Sequence, residues 1–208
     1  IVVSHVTSPT ALVFPVEEIC RRARERGILT CIDGPHAPAT VDISLRTIDC
    51  DFYCASCHKW LCAPFGSGFL FVSPRWQKRV RPAIVSWGGS IGGRQPGWKD
   101  EFLWLGTRNP AALLATSTAI EFFNSEFFDS RVLSRFREHS RRLTDLAAQL
   151  VCELTGLPAI DAGETSRCPS MISLELPSVA DVPPHGQRDP LQNRLREEAG
   201  IEIPIVHW

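Results

Sequence analysis

No charge of one sign dominates this sequence: 22 Lys and Arg stand against 23 Asp and Glu, a formal net charge of −1. That balance removes the usual reason to expect nucleic acid or an anionic membrane as a partner. No apolar run approaches the roughly 20 residues that a membrane-spanning helix needs. The opening, Ile1-Val2-Val3, lacks the basic segment of a secretory signal, and no repeat or low-complexity tract interrupts the chain. The eight cysteines (20, 31, 50, 54, 57, 62, 152 and 168) lack the spacing of a disulfide framework. Most lie inside apolar runs, where free Cys behaves as a small hydrophobe, so a reducing cytoplasm is the expected setting. The first residue is not Met and sits in a strand-like run, and the end at Ile201–Trp208 is equally abrupt. An internal segment of a longer protein is therefore expected.

What is present has ordinary globular proportions: 44% hydrophobic and 22% charged residues over 208 positions, enough for one domain or one and a half. Ile1–Val6 reads as a parallel strand followed by the loop Thr7-Ser8-Pro9-Thr10. Pro15 opens a helix whose apolar positions Val16, Ile19, Cys20 and Ala23 fall on one face, with Gly27 as its stop. Ile28–Ile32 reads as the next strand and completes a β-α-β unit. Val41–Leu45 is expected to be irregular or a short turn. Phe52–Ala55 is a third strand. Gly68–Val72 is a fourth, antiparallel because only a short loop precedes it. The Gly-rich run Ser86–Gly93 has no helix pattern directly after it, which argues against a phosphate-cradling motif.

Further on, Asn109-Pro110 predicts a capped helix running through Leu114, Ser117, Ile120 and Phe123. A longer amphipathic helix follows. Val132, Leu133, Phe136, Leu143, Ala147, Leu150 and Val151 lie on one face, and Arg135, Arg137, Arg141 and Arg142 on a solvated one. Met171–Leu176 reads as a strand and Pro177–Arg188 as a Pro-rich loop. Asp189-Pro190 starts a helix that stops at Gly200, and Ile201–Ile205 reads as a last strand. The change of character places a domain boundary near residue 127.

Two residues stand just past the ends of buried strand patterns: Asp33, in Asp33-Gly34-Pro35-His36, and Lys59, in Ser56-Cys57-His58-Lys59-Trp60. In an open α/β sheet that edge is where ligands bind. A lysine and a carboxylate delivered there can serve pyridoxal phosphate, the amine forming a Schiff base and the carboxylate keeping the pyridine nitrogen protonated. Either residue alone reads as a surface lysine or a turn aspartate. Burial between Trp60 and Leu61 is expected to lower the pKa of Lys59 and make its amine nucleophilic. Cys54-x-x-Cys57 with His58 and Cys62 suggests zinc, but no second pair of ligands occurs at the usual spacing.

These motifs resemble the class V aminotransferase family of fold-type I pyridoxal-phosphate enzymes, over essentially the whole chain. Ser4-His-Val-Thr-Ser-Pro-Thr10, Asp33-Gly-Pro-His-Ala-Pro38 and His58-Lys-Trp-Leu-Cys-Ala-Pro64, with Gly66-Ser-Gly-Phe-Leu70, look most like its isopenicillin N epimerase-like members. The resemblance implies an α/β fold: residues 1–127 as the C-terminal portion of the large cofactor-binding domain, with a mostly parallel sheet flanked by helices, and 128–208 as part of a small α+β domain. It implies that Lys59 and Asp33 are catalytic and hold pyridoxal 5′-phosphate, that His36 contacts its phenolic oxygen, and that Ser56 and His58 bind its phosphate. Ser8 stands where some relatives have Asn, and Ala11 where they usually carry Gly. Gly106-Thr107 matches a motif that reaches the neighbouring subunit's phosphate, which implies a homodimer with shared active sites. No role follows for Trp87 or Arg108. The implied activity is chemistry at the α-carbon of an amino-acid substrate, epimerase-like. The alternatives are a cysteine desulfurase or selenocysteine lyase, an aminotransferase, or a non-catalytic scaffold that keeps the fold.

Overall fold

The structure, a computed structural model, describes residues 1–89, 97–104, 106–124, 131–160, 163, 166–177, 183–184 and 186–207. Its centre is a sheet of four strands in the order β1 (Val2–Ser4), β2 (Cys31–Asp33), β3 (Phe52–Ser56) and β4 (Gly68–Val72). The first three run parallel and β4 is antiparallel to β3, as the loop lengths predict.

Helix α1 (Val16–Glu25) makes the crossover between β1 and β2. Val16, Cys20 and Ala23 recur at i, i+4 and i+7 and are its buried residues. The helix ends in a Schellman turn. Gly27 takes φ +65°, its N–H reaches the Arg24 carbonyl, and the Ile28 N–H reaches that of Ala23. A short helix α2 (Leu45–Ile48) is capped by Ser44, whose side chain accepts the Thr47 N–H. Under the sheet, Val16 and Cys20 pack with Ile32, Ile48, Cys50, Tyr53 and Ala55. At about 1.5–3 kcal/mol for each fully buried large apolar side chain, this cluster is the main source of stability here.

Asp51 pins three segments at the lower edge of the sheet. Its carboxylate accepts the Thr30 N–H at 2.8 Å, the Arg75 Nε–H at 2.7 Å and the Trp76 indole at 2.5 Å. Arg75 and Trp76 belong to α3 (Pro74–Gln77), which follows β4 with Pro74 in its first turn. Burial alone would push the Asp51 carboxyl up, but the Thr30, Trp76 and Arg75 donors hold it below its ordinary value.

Beyond the sheet the expectations hold unevenly. The helix predicted from Asn109 is two short ones, α5 (Ala111–Leu114) and α6 (Thr116–Asn124), after the brief α4 (Asp100–Leu103). The Thr116 and Ser117 hydroxyls bond the Ala112 and Leu114 carbonyls at the break, competing with the helix's own ladder. Asn109 does cap, its Oδ1 accepting the Ala111 N–H at 2.9 Å. The long helix α7 (Val132–Thr155) forms as predicted, and Phe136 meets Phe123 edge-on, ring centroids 5.7 Å apart. Its expected buried face does not continue, however: Leu143 and Leu150 are 53% and 49% exposed. Arg137 is not solvated either. It reaches the Ala39 and Val41 carbonyls at 2.9 Å and the Asp42 carboxylate at 2.6 Å.

Helix α8 (Pro190–Ala199) has the predicted ends, with Asp189 accepting the Leu191 N–H and Gly200 at φ +66°. The strands expected at 171–176 and 201–205 are absent among the described residues. The first keeps only an isolated bridge, Leu174 to Ala159. The second is tied to α8 only through Ile205 N–H to Gln192 Oε1 at 3.2 Å, and beyond it His207 reaches the α8 cap Asp189 at 2.7 Å, among the described residues. Alternating side chains make no strand without a neighbour to take the backbone bonds. The expected domain boundary near 127 lies outside the described residues, as does the second half of the Gly-rich run, 90–93.

Candidate active site

Strand β2 ends with Asp33 paired to Cys54 of β3, which runs on to Ser56. Strand alternation sets Asp33 and Cys54 on the face opposite Ile32 and Tyr53. The Gly34 N–H extends the ladder to the Cys54 carbonyl at 2.8 Å, and the chain then turns through Ala37 and Thr40. A side chain at Gly34 would collide with Tyr53, whose oxygen lies 2.2 Å from the ideal Cβ position. That buried phenol is fixed by His5 Nδ1 at 2.8 Å. Burial pushes the Tyr53 pKa up and that of His5 down, so both stay neutral. The Asp33–His36 turn thus rests on a buried aromatic platform.

Lys59 sits on the β3–β4 loop. The loop is closed by Cys57 N–H to the Ser67 carbonyl, Ala63 N–H to the Cys57 carbonyl and Cys62 N–H to the Lys59 carbonyl, each at 3.0 Å. Cys62 is left-handed at φ +58°. This geometry brings Lys59 Nζ to 3.0 Å from His36 Nε2, and the Trp60 indole nitrogen to 3.2 Å from His36 Nδ1. Burial lowers the His36 pKa and the Lys59 charge adds to it, while Asp33 opposes both. Asp33, His36 and Lys59 therefore converge at the carboxyl ends of two adjacent parallel strands. The expected burial of Lys59 is not found. The residue is exposed, because Trp60 turns back onto His36 instead of covering the amine.

The remaining predicted residues are less tightly gathered. Ser56 ends β3, half-buried and opposite Gly68. A Cβ at Gly68 would meet the Ala55 carbonyl at 2.8 Å, so glycine is what lets the loop return close to Ser56. His58 turns Nδ1 to the Ser67 carbonyl at 3.1 Å and packs on Phe65, with centroids 4.7 Å apart. Nδ1 must donate there, so Nε2 can also donate only when the ring carries both protons. Ser8 is exposed in the loop held by Thr7, whose N–H reaches the Leu12 carbonyl and whose hydroxyl accepts the Leu12 N–H, both at 2.9 Å. Ala11 in that loop is buried at φ +54°, a conformation that glycine adopts without strain. Thr107 is exposed after Gly106 at φ +129°. Among the described residues no hydrogen bond joins Ser8 or Thr107 to the His36 group. The Trp60–His36 contact has no sequence signal, since the two lie 24 positions apart in different loops.

The arrangement fits a pyridine cofactor. The half-buried Asp33 carboxylate accepts, among the described residues, only the weak Cys54 thiol at 3.8 Å, which leaves it able to receive a cationic ring N–H. An accessible primary amine and an imidazole stand beside it.

The family model described as aminotransferase class-V matches residues 1–203. The isopenicillin N epimerase of Streptomyces clavuligerus is 36% identical over 95% of this chain and 51% of its own length. The probable chloroplastic L-cysteine desulfhydrase of Arabidopsis thaliana is 28% identical over 98% of this chain and 42% of its own. Among solved structures, a NifS-like protein superposes with a TM-score of 0.72 at 20% identity, covering 97% of this chain and 48% of its own. The alanine–glyoxylate aminotransferase of a Nostoc species gives 0.67 at 18%, covering 97% of this chain and 51% of its own. The chain spans about half the length of the curated relatives it matches.

Proposed function

The chain belongs to the class V aminotransferase family, and we propose that it carries the lysine and aspartate of a pyridoxal-phosphate-dependent enzyme acting at the α-carbon of an amino-acid substrate, epimerase-like. The observation that carries this reading is the convergence of Lys59 and His36 at 3.0 Å beside Asp33, at the carboxyl edge of β2 and β3. When bound, the cofactor supplies an electron sink that acidifies the substrate α-proton.

The protein's own groups do the rest. Lys59 would hold the cofactor by its amine, and the same amine would take the substrate α-proton. Asp33 keeps the ring nitrogen protonated, and His36 Nε2 donates toward the phenolic oxygen. The Ser56 hydroxyl and the His58 ring would hold the phosphate. Ser8 lends a further donor from the Thr7–Leu12 loop. Thr107 reaches the phosphate of a second subunit in a homodimer, a reading supported by its exposure next to Gly106. The setting is the reducing cytoplasm, a reading supported by Cys20, Cys50, Cys57 and Cys168, whose free thiols fill buried positions. Loss of a β-sulfur substituent instead of proton return is the second reading, favoured by the likeness to L-cysteine desulfhydrases.

The test uses the full-length protein. Borohydride reduction after loading with pyridoxal phosphate is expected to leave the label on the peptide containing Lys59. Lys59→Ala is expected to abolish both the label and the visible absorption band. Label on another lysine sinks the proposal. In heavy water, exchange at the α-carbon with inversion and no sulfide marks the epimerase, and sulfide release from cysteine marks the lyase. A loaded protein that exchanges no α-proton across a panel of amino acids is a scaffold.

A further inference from the structure

Trp60 and Lys59 address the two nitrogens of one imidazole, and they cannot both donate to it. An indole N–H is a donor only, so the 3.2 Å contact makes His36 Nδ1 the acceptor. A neutral ring with a bare Nδ1 carries its proton on Nε2. That N–H points at Lys59 Nζ, 3.0 Å away, where only an amine with its lone pair can receive it, because an ammonium offers none. In the opposite assignment a Lys59 ammonium donates to a bare Nε2. The proton then sits on Nδ1 and faces the indole N–H. A doubly protonated ring loses its acceptor at both contacts. The ionisable groups that face the ring are the Lys59 amine, from the β3–β4 loop, and the Asp33 carboxyl, from the end of β2.

We propose that Trp60 is a positioning residue: by occupying His36 Nδ1 it locks the ring in its Nε2–H tautomer and aims a fixed donor at the Lys59 side of the site. This deepens the reading given under Proposed function and takes its chemical consequence from it: the donor beside the reactive amine is set by an indole one residue further along the chain. Trp60 itself touches no reacting atom.

The experiment is nitrogen NMR of the full-length protein, freed of cofactor and carrying ring-15N histidine. The His36 signals are identified by their loss in His36→Gln. In the unsubstituted protein Nδ1 is expected in the bare-nitrogen range and Nε2 in the protonated range. Trp60→Phe keeps an aromatic ring and deletes the N–H, and its His36 signals are expected to exchange ranges or to average between them. Replacing Trp60 with β-(3-benzothienyl)alanine, which puts sulfur where the N–H was, is expected to do the same and serves if the Phe variant does not fold. A protonated Nδ1 in the unsubstituted protein, or a bare Nδ1 that survives either replacement, overturns the proposal. The tautomer is read without cofactor, so this outcome is separate from the borohydride test of Lys59.

Discussion

Tyr53 closes the space beside Gly34 so fully that a methyl group there would lie 2.2 Å from the phenol oxygen and 2.3 and 2.4 Å from Cζ and Cε1. The ring cannot retreat, because it is buried in the sheet core and its hydroxyl is held by His5. Gly34→Ala is therefore expected to lower the unfolding free energy by about 1–3 kcal/mol, the usual range for overpacking, as measured by urea titration. Removing the hydroxyl with Tyr53→Phe should not rescue it, since two ring carbons still clash. A smaller residue such as Leu at 53 should recover part of the loss. Full recovery by Phe would show that the oxygen alone sets the constraint. At this scale the sequence is legible where chemistry follows strand ends: Asp33 and Lys59 stand out by position, whereas His36, 3.0 Å from the Lys59 amine, is pointed to by the family resemblance alone. Illegible were contacts that join loops far apart in the chain. Trp60 reads as an apolar neighbour of Lys59 until its indole is seen on His36.

At the scale of elements, Asp51 joins the start of β2, the start of β3 and helix α3 through one carboxylate. Asp51→Asn keeps the shape but loses the charge-assisted bonds to Arg75 and Trp76. A hydrogen bond to a charged group contributes about 1.5–3 kcal/mol, and the half-exposed Arg75 argues for the lower end. The native carboxyl lies below its ordinary value. Its charge-dependent stabilisation is therefore complete above the unfolded pKa of about 3.9 and disappears as pH falls through the lower native value. The stability gap between Asp51→Asn and the unsubstituted protein should accordingly be widest near neutrality and shrink in acid, read from urea midpoints at two pH values. A gap that does not change with pH would mean the carboxylate acts by shape alone. The β-α-β unit and the β3–β4 pair were readable because helix period, the Gly27 stop and loop length all agreed. Strands at 171–176 and 201–205 were misread from the same kind of pattern. Period reports which side chains share a face, whereas a strand exists only where a second backbone accepts its bonds.

For the molecule as a whole, the uneven burial of apolar side chains has a direct consequence. One face of α1 and of the central sheet is packed, yet Val2 on β1 is 77% exposed and Leu154 at the end of α7 is 85% exposed. Leu143, Leu146, Leu150 and Leu154 fall at i, i+3, i+7 and i+11, which makes a continuous apolar stripe along α7. Contiguous apolar surface of this kind drives self-association of a free chain. The Lys59 amine is exposed as well, so little here excludes water from the bond it is proposed to make. The 208 residues expressed alone are therefore expected to aggregate in light scattering at micromolar concentration. They are also expected to take up pyridoxal phosphate at least tenfold more weakly than the full-length protein, by absorbance titration. Replacing Leu146 and Leu150 with Glu should reduce the scattering without restoring cofactor uptake, because the stripe and the Lys59 loop are separate surfaces. If the isolated chain is monodisperse and binds cofactor tightly at one per chain, then the described residues already complete the site, and the exposure of Lys59 and of the α7 leucines has no bearing on it.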